Sequence, residues 1–386
     1  MSAAARIDTP AVLVDTPAVR IDTPGVRIDT PAARVDTRPA EPGRQLFVSA
    51  DVTREQWDAY VTARPDATGN HLWAWRHVYE EAFRHRTEYL VARRAHGKVV
   101  GVLPLVVFDS RVFGRFMVSL PFVNYGGVLA DDDEAARALV DEAIERARWH
   151  GLSHIELRHL SPRFSDLPVR EHKVTMTVPL PATAAEAWDS RDRKVRNQVR
   201  KAENSGLTAE VGGAELLREF YAIFAQNMRD LGTPVYPQAW FAEIFRRFPE
   251  RSRVFLVRLG PRAVAGAVTF GFGASLEVPS AASLRSHRAL CPNMLLYWRI
   301  MQQAIEDGYC VLDLGRSTPN EGTYKFKAQW GATPGPMAWE YALLAGHAVP
   351  DRSPKNSRFR GAVAVWQHLP LPIANAVGPS VVRFLP

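Results

Sequence analysis

The sequence predicts an α/β protein made of two similar units in tandem, each a mixed sheet flanked by helices. A repeated phrase carries that expectation. Ala143-Ile-Glu-Arg-Ala-Arg-Trp-His-Gly151 runs into His154-Ile-Glu-Leu-Arg158, and Ala304-Ile-Glu-Asp-Gly308 runs into Val311-Leu-Asp-Leu-Gly-Arg316. Each copy reads as a helix, a glycine stop, a short strand bearing a carboxylate, and then an arginine. A hairpin-like pair of apolar runs precedes each copy: Tyr89 to Arg94 with Lys98 to Phe108, and Val254 to Leu259 with Ala263 to Phe270. Composition agrees. The 386 residues are 46% hydrophobic and 23% charged, enough to bury two cores.

Residues 6–40 hold a seven-residue repeat, beginning Arg6-Ile-Asp-Thr-Pro-Ala-Val. A period of seven suits a coiled coil, but proline in every copy removes a helix donor and clashes with the preceding turn. The expected division is a disordered repeat tail over 1–44, a first unit over 45–170, a second and catalytic unit over 171–345, and a basic and apolar tail over 346–386.

In the first unit Thr53 suits the cap of a helix through Ala63. A second helix, about His71 to Arg84, carries the stripe Trp73, Trp75, Val78, Tyr79 and Phe83, which reads as core. The hairpin strands follow, then Phe116 to Leu120 and the turn Asn124-Tyr-Gly-Gly127. Between 133 and 149, Ala136, Leu139, Val140, Ala143, Ile144 and Ala147 fall on one helix face. The strand His154 to Arg158 closes the unit.

The second unit opens with a strand, Val174 to Leu180. The stretch Arg191 to Lys201 has six basic residues and one acid. As a helix it turns Val195, Val199 and Ala202 inward and Arg193, Arg196 and Arg200 elsewhere. Those arginines, with Lys201, read either as a solvated face or as a phosphate clamp, since guanidinium binds phosphate oxygens bidentately. Helices near 215–230 and 237–247 and the second hairpin come next. A helix from Pro292 to Asp307 has Met294, Tyr297, Trp298, Met301, Ala304 and Ile305 inward. The segment Gly322 to Gly331 reads as loop and strand, placing Tyr324, Lys325 and Lys327 beside Phe326 and Trp330. Its lysines are either solvated or a cation at a strand mouth, where negative charge on a carbonyl oxygen would be stabilised. Asp313 is open to two roles, general base or strand-end partner of Arg316. Met337 to Leu344 is expected as the last strand of this unit. The tail beyond Gly361 is apolar and proline-broken behind Arg352, Lys355, Arg358 and Arg360; it either packs back or lies on an anionic membrane surface.

Charge and motif content set further bounds. The net charge of +7 is too small to imply duplex DNA binding without a local patch. The two cysteines, Cys291 and Cys310, give no disulfide framework and no zinc pattern, and no histidine spacing suggests a metal. No apolar run is long enough to span a bilayer, and the expected location is the cytoplasm, in one reading at the inner membrane face.

From about Leu46 to Leu344 the chain resembles the FemAB-like transferases, built from two GNAT-type units. The resemblance rests on the basic helix ending in Arg200-Lys-Ala-Glu-Asn-Ser-Gly206, on Cys291-Pro-Asn-Met-Leu-Leu-Tyr297, and on Gly322-Thr-Tyr-Lys-Phe-Lys327. His71-Leu-Trp-Ala-Trp75, Leu120-Pro-Phe-Val-Asn-Tyr-Gly-Gly127 and Asp313-Leu-Gly-Arg-Ser317 look closest to the subgroup associated with exosortase/PEP-CTERM exopolysaccharide systems. The resemblance implies transfer of an acyl or aminoacyl group to an amine on an envelope glycan or lipid-linked precursor. It implies Lys327 as the cation near the reacting carbonyl, with Asp313 as the nearest base. Substrate contacts are implied at Arg193, Arg196, Arg200, Lys201, Asn293, Arg316 and Tyr324. No permanently bound cofactor is expected. The donor stays open between acyl-CoA, an acyl carrier protein thioester and aminoacyl-tRNA, because Ser286 to Cys291 lacks the glycine-rich pyrophosphate loop of acetyl-CoA enzymes. A conventional acetyl-CoA N-acetyltransferase and a non-catalytic membrane-peripheral scaffold are the alternatives.

Overall fold

The computed structural model describes residues 45–111, 113–344, 346, 348–350 and 357–385. The heptad repeat and the basic pair Arg352 and Lys355 lie outside the described residues. In chain order the first half contains β1 (Phe47–Ser49), α1 (Arg54–Thr62), α2 (Trp75–Phe83), β2 (Arg86–Arg93), β3 (Val99–Ser110), β4 (Gly114–Val118), β5 (Leu129–Ala130), α3 (Asp133–Trp149), β6 (His154–His159) and β7 (Val169–Arg170). The second half contains β8 (Thr175–Pro179), α4 (Ala184–Asp189), α5 (Arg193–Asn204), β9 (Leu207–Gly212), α6 (Leu217–Leu231), α7 (Gln238–Arg247), β10 (Ser252–Leu259), β11 (Arg262–Phe272), β12 (Ser275–Ser283), α8 (Pro292–Glu306), β13 (Val311–Asp313), α9 (Gly322–Ala328), β14 (Thr333–Gly335), β15 (Ala338–Leu343), α10 (Ser357–Gln367) and α11 (Leu371–Val382).

The elements form two mixed sheets. The first runs β1-β2-β3-β4-β6-β15-β7, with β5 beside β3; the second runs β14-β8-β13-β12-β11-β10-β9. Each has one parallel pair, as a helical crossover requires. β4 and β6 are joined through α3, and β12 and β13 through α8. The repeated phrase maps onto these crossovers. Glu156 pairs with Val118 in one sheet, and Asp313 pairs with Glu277 in the other.

Burial follows strand alternation. One face of the first sheet packs on α3 through Leu139, Val140 and Ala143. One face of the second packs on α5 and α8 through Val195, Val199, Leu296, Ile300, Leu312 and Leu314. The remaining faces enclose α1, α2, α6 and α7 in one shared core. The Trp75 ring of α2 sits 5.6 Å from Trp240 of α7 and 5.6 Å from Phe270 of β11, so the aromatic stripe is the seam between the halves. Such ring pairs add about 0.5–1.5 kcal/mol each beyond area burial. Thr53 caps α1 in a full capping box.

Three expectations need correction. The segment Gly322–Ala328 is a helix, not loop and strand; Phe326 and Trp330 pack on Tyr297 of α8, and that burial decides the conformation. The final strand pairs not with the second sheet but with β6 of the first, Trp339 opposite Arg158. Helix α2 starts at Trp75 rather than His71, because residues 69–71 form a separate turn whose Gly69 carbonyl accepts from the Trp75 indole. The C-terminal helices pack on α6: Ala374, Gly378 and Val382 are buried, and Gly378 lies against the Val235 backbone.

Candidate active site

The second sheet opens at Glu277 and Asp313. β12 and β13 are paired over three residues only, and this pair is the last. Leu312 and Leu314 face α8, so by alternation Asp313 faces the other way, toward the seam. The first half supplies its partners. The Tyr125 hydroxyl donates to Asp313 Oδ2 at 2.7 Å, and Asn124 Nδ2 donates to Glu277 Oε1 at 2.6 Å. Asn70 makes a longer contact of 3.5 Å to Glu277 Oε2. The Gly315 backbone N–H donates to Asp313 Oδ1 at 2.7 Å.

The loop that delivers Asn124 and Tyr125 is held under constraint. Leu120 and Phe122 have φ of 61° and 67°, in the left-handed region that L-residues avoid. Buried partners fix it: the Tyr79 hydroxyl donates to Pro121 O at 2.6 Å, and Arg158 Nη1 to Val123 O at 3.4 Å.

Two carboxyl groups this close and this dry do not both ionise readily. Burial, and then the Asp313 charge, push Glu277 up to about 8. Burial also raises Asp313, against the opposing effects of the Tyr125 and Gly315 hydrogen bonds and the Lys327 charge. Those donors and the Lys327 charge favour Asp313 as the member of the pair that ionises first, leaving the proton on Glu277.

Lys327 completes the group. Its Nζ is 3.1 Å from Gly315 O and 2.8 Å from Arg316 O, and donates to both. The side chain is buried, and burial pushes its pKa down to about 8, with Arg316 and Lys173 acting in the same direction and Asp313 opposing. A cavity of about 20 Å³, lined by Asn70, Trp75, Phe122, Trp240 and Glu277 among others, reaches Glu277 from the seam. It has room for roughly one water.

The residues expected from sequence divide into two groups. Asp313, Lys327 and Arg316 come together. Asp313 takes its hydrogen bonds from Tyr125, Gly315 and Thr175 rather than from Arg316. Arg193, Arg196, Arg200 and Lys201 lie on α5, which packs on the opposite face of the second sheet. Arg196 pairs with Asp189 at 3.7 Å, and Arg200 lies over the Trp188 ring. Asn293 starts α8 and Tyr324 packs beside α8, also in that layer. Glu277, Asn124 and Tyr125 were missed as site residues. Asn124 and Tyr125 stood in a recognised turn, and Glu277 is the lone acid of its strand.

This arrangement, a sheet opening at a parallel pair with a helix crossover, has counterparts among known proteins. Residues 189–328 match the acetyltransferase (GNAT) domain. Within the second half, residues 189–328 are thus a GNAT-like acetyltransferase segment, and the chain has a GNAT-like mixed α/β fold of two sheets flanked by helices. No curated protein matches the sequence. Among solved structures, FemX superposes with a TM-score of 0.61 at 17% identity, over 78% of this chain and 97% of FemX. The C-terminal domain (DUF2156) of a protein assigned as a lysylphosphatidylglycerol synthetase of Agrobacterium fabrum gives 0.53 at 14%, over 75% and 92%. L-PGS from Bacillus licheniformis gives 0.52 at 11%, over 77% and 94%. At these identities the likeness is one of fold, and it spans both halves rather than the GNAT segment alone.

Among the described residues no cluster of histidine, cysteine or carboxylate suits a metal ion, and both cysteines are free. No helix of the described residues is long and apolar enough to cross a membrane.

Proposed function

We propose that the protein is an N-acyltransferase that moves an acyl or aminoacyl group onto an amine of a cell-envelope or exopolysaccharide precursor. The observation that carries the reading is the Glu277–Asp313 pair with Lys327 beside it, at the opening of a GNAT sheet. The amine nitrogen attacks the donor's carbonyl carbon, and the C–N bond forms as the carbonyl electrons move to oxygen. Lys327 supplies a positive charge for that oxyanion in a site where water cannot screen it. Glu277 gives up its proton as pH rises toward 8, and its ionised form, with a proton affinity raised toward that of an amine, can take the ammonium proton. The oxyanion then collapses, the C–S or C–O bond to the donor breaks, and the leaving group carries away a proton.

The envelope assignment draws support from neighbours in fold: FemX, and proteins whose names make them synthetases of lysylphosphatidylglycerol. The exosortase/PEP-CTERM setting rests on the sequence motifs alone. A location at the inner membrane face fits the exposed Val365, Ile373 and Val377 on the charge-poor C-terminal helices. An acetyl-CoA enzyme is the second reading, favoured by the description of the GNAT domain. Against it, α8 begins with Cys291 in the left-handed region followed by Pro292, so one backbone donor is missing where pyrophosphate would seat.

The test is a donor screen with the purified chain. Acetyl-CoA, an acyl carrier protein thioester and aminoacyl-tRNA are each offered with amine-bearing acceptors, and product is read by mass. Transfer by wild type that Glu277→Gln and Lys327→Ala both lose supports the proposal. Equal turnover by wild type and both variants would sink it.

A further inference from the structure

Beside the carboxylate pair lies a second polar cluster that acyl transfer as described does not use. The arginines ending the two copies of the repeated phrase meet here. The Arg158 guanidinium carbon lies 4.4 Å from the Trp339 ring centroid, and that of Arg316 lies 5.6 Å from the same ring. Trp339 is set by register opposite Arg158 in β15 and β6. His172 meets the ring edge-on at 5.1 Å, and Arg170 pairs with Trp339 in the β7–β15 ladder.

The charges do not balance. Glu156 accepts from Arg158 Nε at 2.8 Å and from the Tyr341 hydroxyl at 3.2 Å, so this carboxylate is already engaged. Arg316 has no ion pair among the described residues, and its buried Nη1 donates to nothing there. The buried indole Nε1 of Trp339 and the buried hydroxyl of Ser317 also lack partners among the described residues. Burial, and then the Arg158 charge, push the Arg316 pKa down, against the opposing effects of Tyr236, Glu156 and Glu277. Glu277 contributes little neutralisation while it keeps its proton. Orphaned buried donors of this kind call for an acceptor that the protein does not supply. Phosphate fits: its oxygens accept several hydrogen bonds, its charge offsets the surplus guanidinium, and arginine binds it in planar, forked geometry.

We propose that Arg158, Arg316 and Trp339 form a phosphate-binding subsite adjoining the Glu277–Asp313 centre. It shares two segments with that centre. Arg158 holds Val123 next to Asn124, and Arg316 follows Asp313 by three residues and accepts from Lys327 through its carbonyl. A substrate whose amine reaches Glu277 would therefore set its phosphate on these arginines. The assignment of that phosphate to the acceptor rests on the acyl-transfer reading; the phosphate site itself does not. Arginines of the seam, not those of α5, then take the role that the sequence suggested for the basic helix.

The test is calorimetric titration of the full chain with inorganic phosphate, glycerol 3-phosphate and uridine diphosphate at fixed ionic strength, without acyl donor. The two organic probes separate a lipid-type from a nucleotide-type source. Wild type should bind at least one of them, and Arg316→Gln should weaken binding by about tenfold or more. Trp339→Phe, which keeps the ring and drops the N–H, should weaken it by less. Arg316→Gln should keep or raise Tm, because it removes a cation that has no ion pair among the described residues and a buried Nη1 without a hydrogen bond. No binding by wild type at millimolar phosphate, equal binding by Arg316→Gln, or a variant that unfolds or loses several degrees would each overturn the proposal. Phosphate binding without transfer of any acyl group would instead overturn the acyl-transfer reading and leave the subsite standing.

Discussion

Glu277 and Asp313 stand opposite each other on two parallel strands, at the last pair before the second sheet opens. Each is the acid of its own strand, and each takes a hydrogen bond from a neighbouring residue of one loop in the other half, Asn124 and Tyr125. The centre is therefore shared: one half contributes the carboxyl groups, and the other adds Asn124 and Tyr125 to the donors that set their protonation.

The first prediction concerns Glu277. Its folded pKa of about 8 lies above the unfolded value, so the folded state binds more protons between about pH 4.5 and 8. Its contribution to stability is complete at the low end and is lost as pH rises through 8. Glu277→Gln should flatten that part of the stability profile, and should lower turnover by about 10²–10⁴-fold if the carboxylate is the base. Denaturant unfolding at pH 5, 6.5 and 8 reads the first effect. An unchanged slope would mean that Glu277 ionises normally.

Lys327 gives the opposite sign. Its folded pKa of about 8 is below the unfolded 10.5, so the unfolded chain binds more protons in that window and stability rises with pH across it. The ammonium that stabilises an oxyanion is lost over the same range, so turnover should fall above about pH 8. Lys327→Met should keep the fold, remove the stability rise between pH 8 and 10.5, and lose turnover by about 10²–10³-fold. A variant as active as wild type at pH 7 would remove Lys327 from the reaction.

Gly315→Ala should damage the site without unfolding the chain. Gly315 has φ of 71°, and an added Cβ would lie 2.8 Å from Asn124 Nδ2. Alanine there costs roughly 1 kcal/mol or more in backbone strain and pushes Asn124 off Glu277. The expected outcome is a Tm drop of a few degrees with a larger proportional loss of turnover. Full activity would show that the Asn124–Glu277 bond is dispensable.

Gly378→Leu addresses the C-terminal helices. A Cβ at this position lies 2.9 Å from the Val235 backbone nitrogen, so α11 must lift from the turn after α6. Tm should fall by several degrees, while turnover at low temperature should fall by a smaller proportion, because neither Gly378 nor Val235 hydrogen-bonds to Glu277, Asp313 or Lys327. Unchanged Tm would show that α11 is held by its other contacts.

Much of this was legible in the sequence. The helices α3 and α8 follow from an apolar stripe with a period near 3.6, and the repeated phrase located both crossovers and both strand carboxylates. What was not legible is non-local. Nothing in Met337 to Leu344 specifies which of two sheets it will join, since alternation sets a face and not a partner. The seven residues of α9 are too short for periodicity to decide, and the ring of Tyr297 decides instead. Glu277 reads in isolation as an outward acid on a hairpin strand. Only the register with Asp313 makes it a site residue.

The return of β15 to the first sheet has a consequence for synthesis. β15 lies between β6 and β7, yet it is translated some 170 residues after them. While the ribosome is still making the second half, the first sheet lacks an interior strand and β6 keeps a bare edge. The Arg158–Trp339 contact and the buried His159–Glu340 pair also wait for that strand. The first half therefore cannot mature as an independent co-translational unit, and its sheet is completed only after β15 has been made.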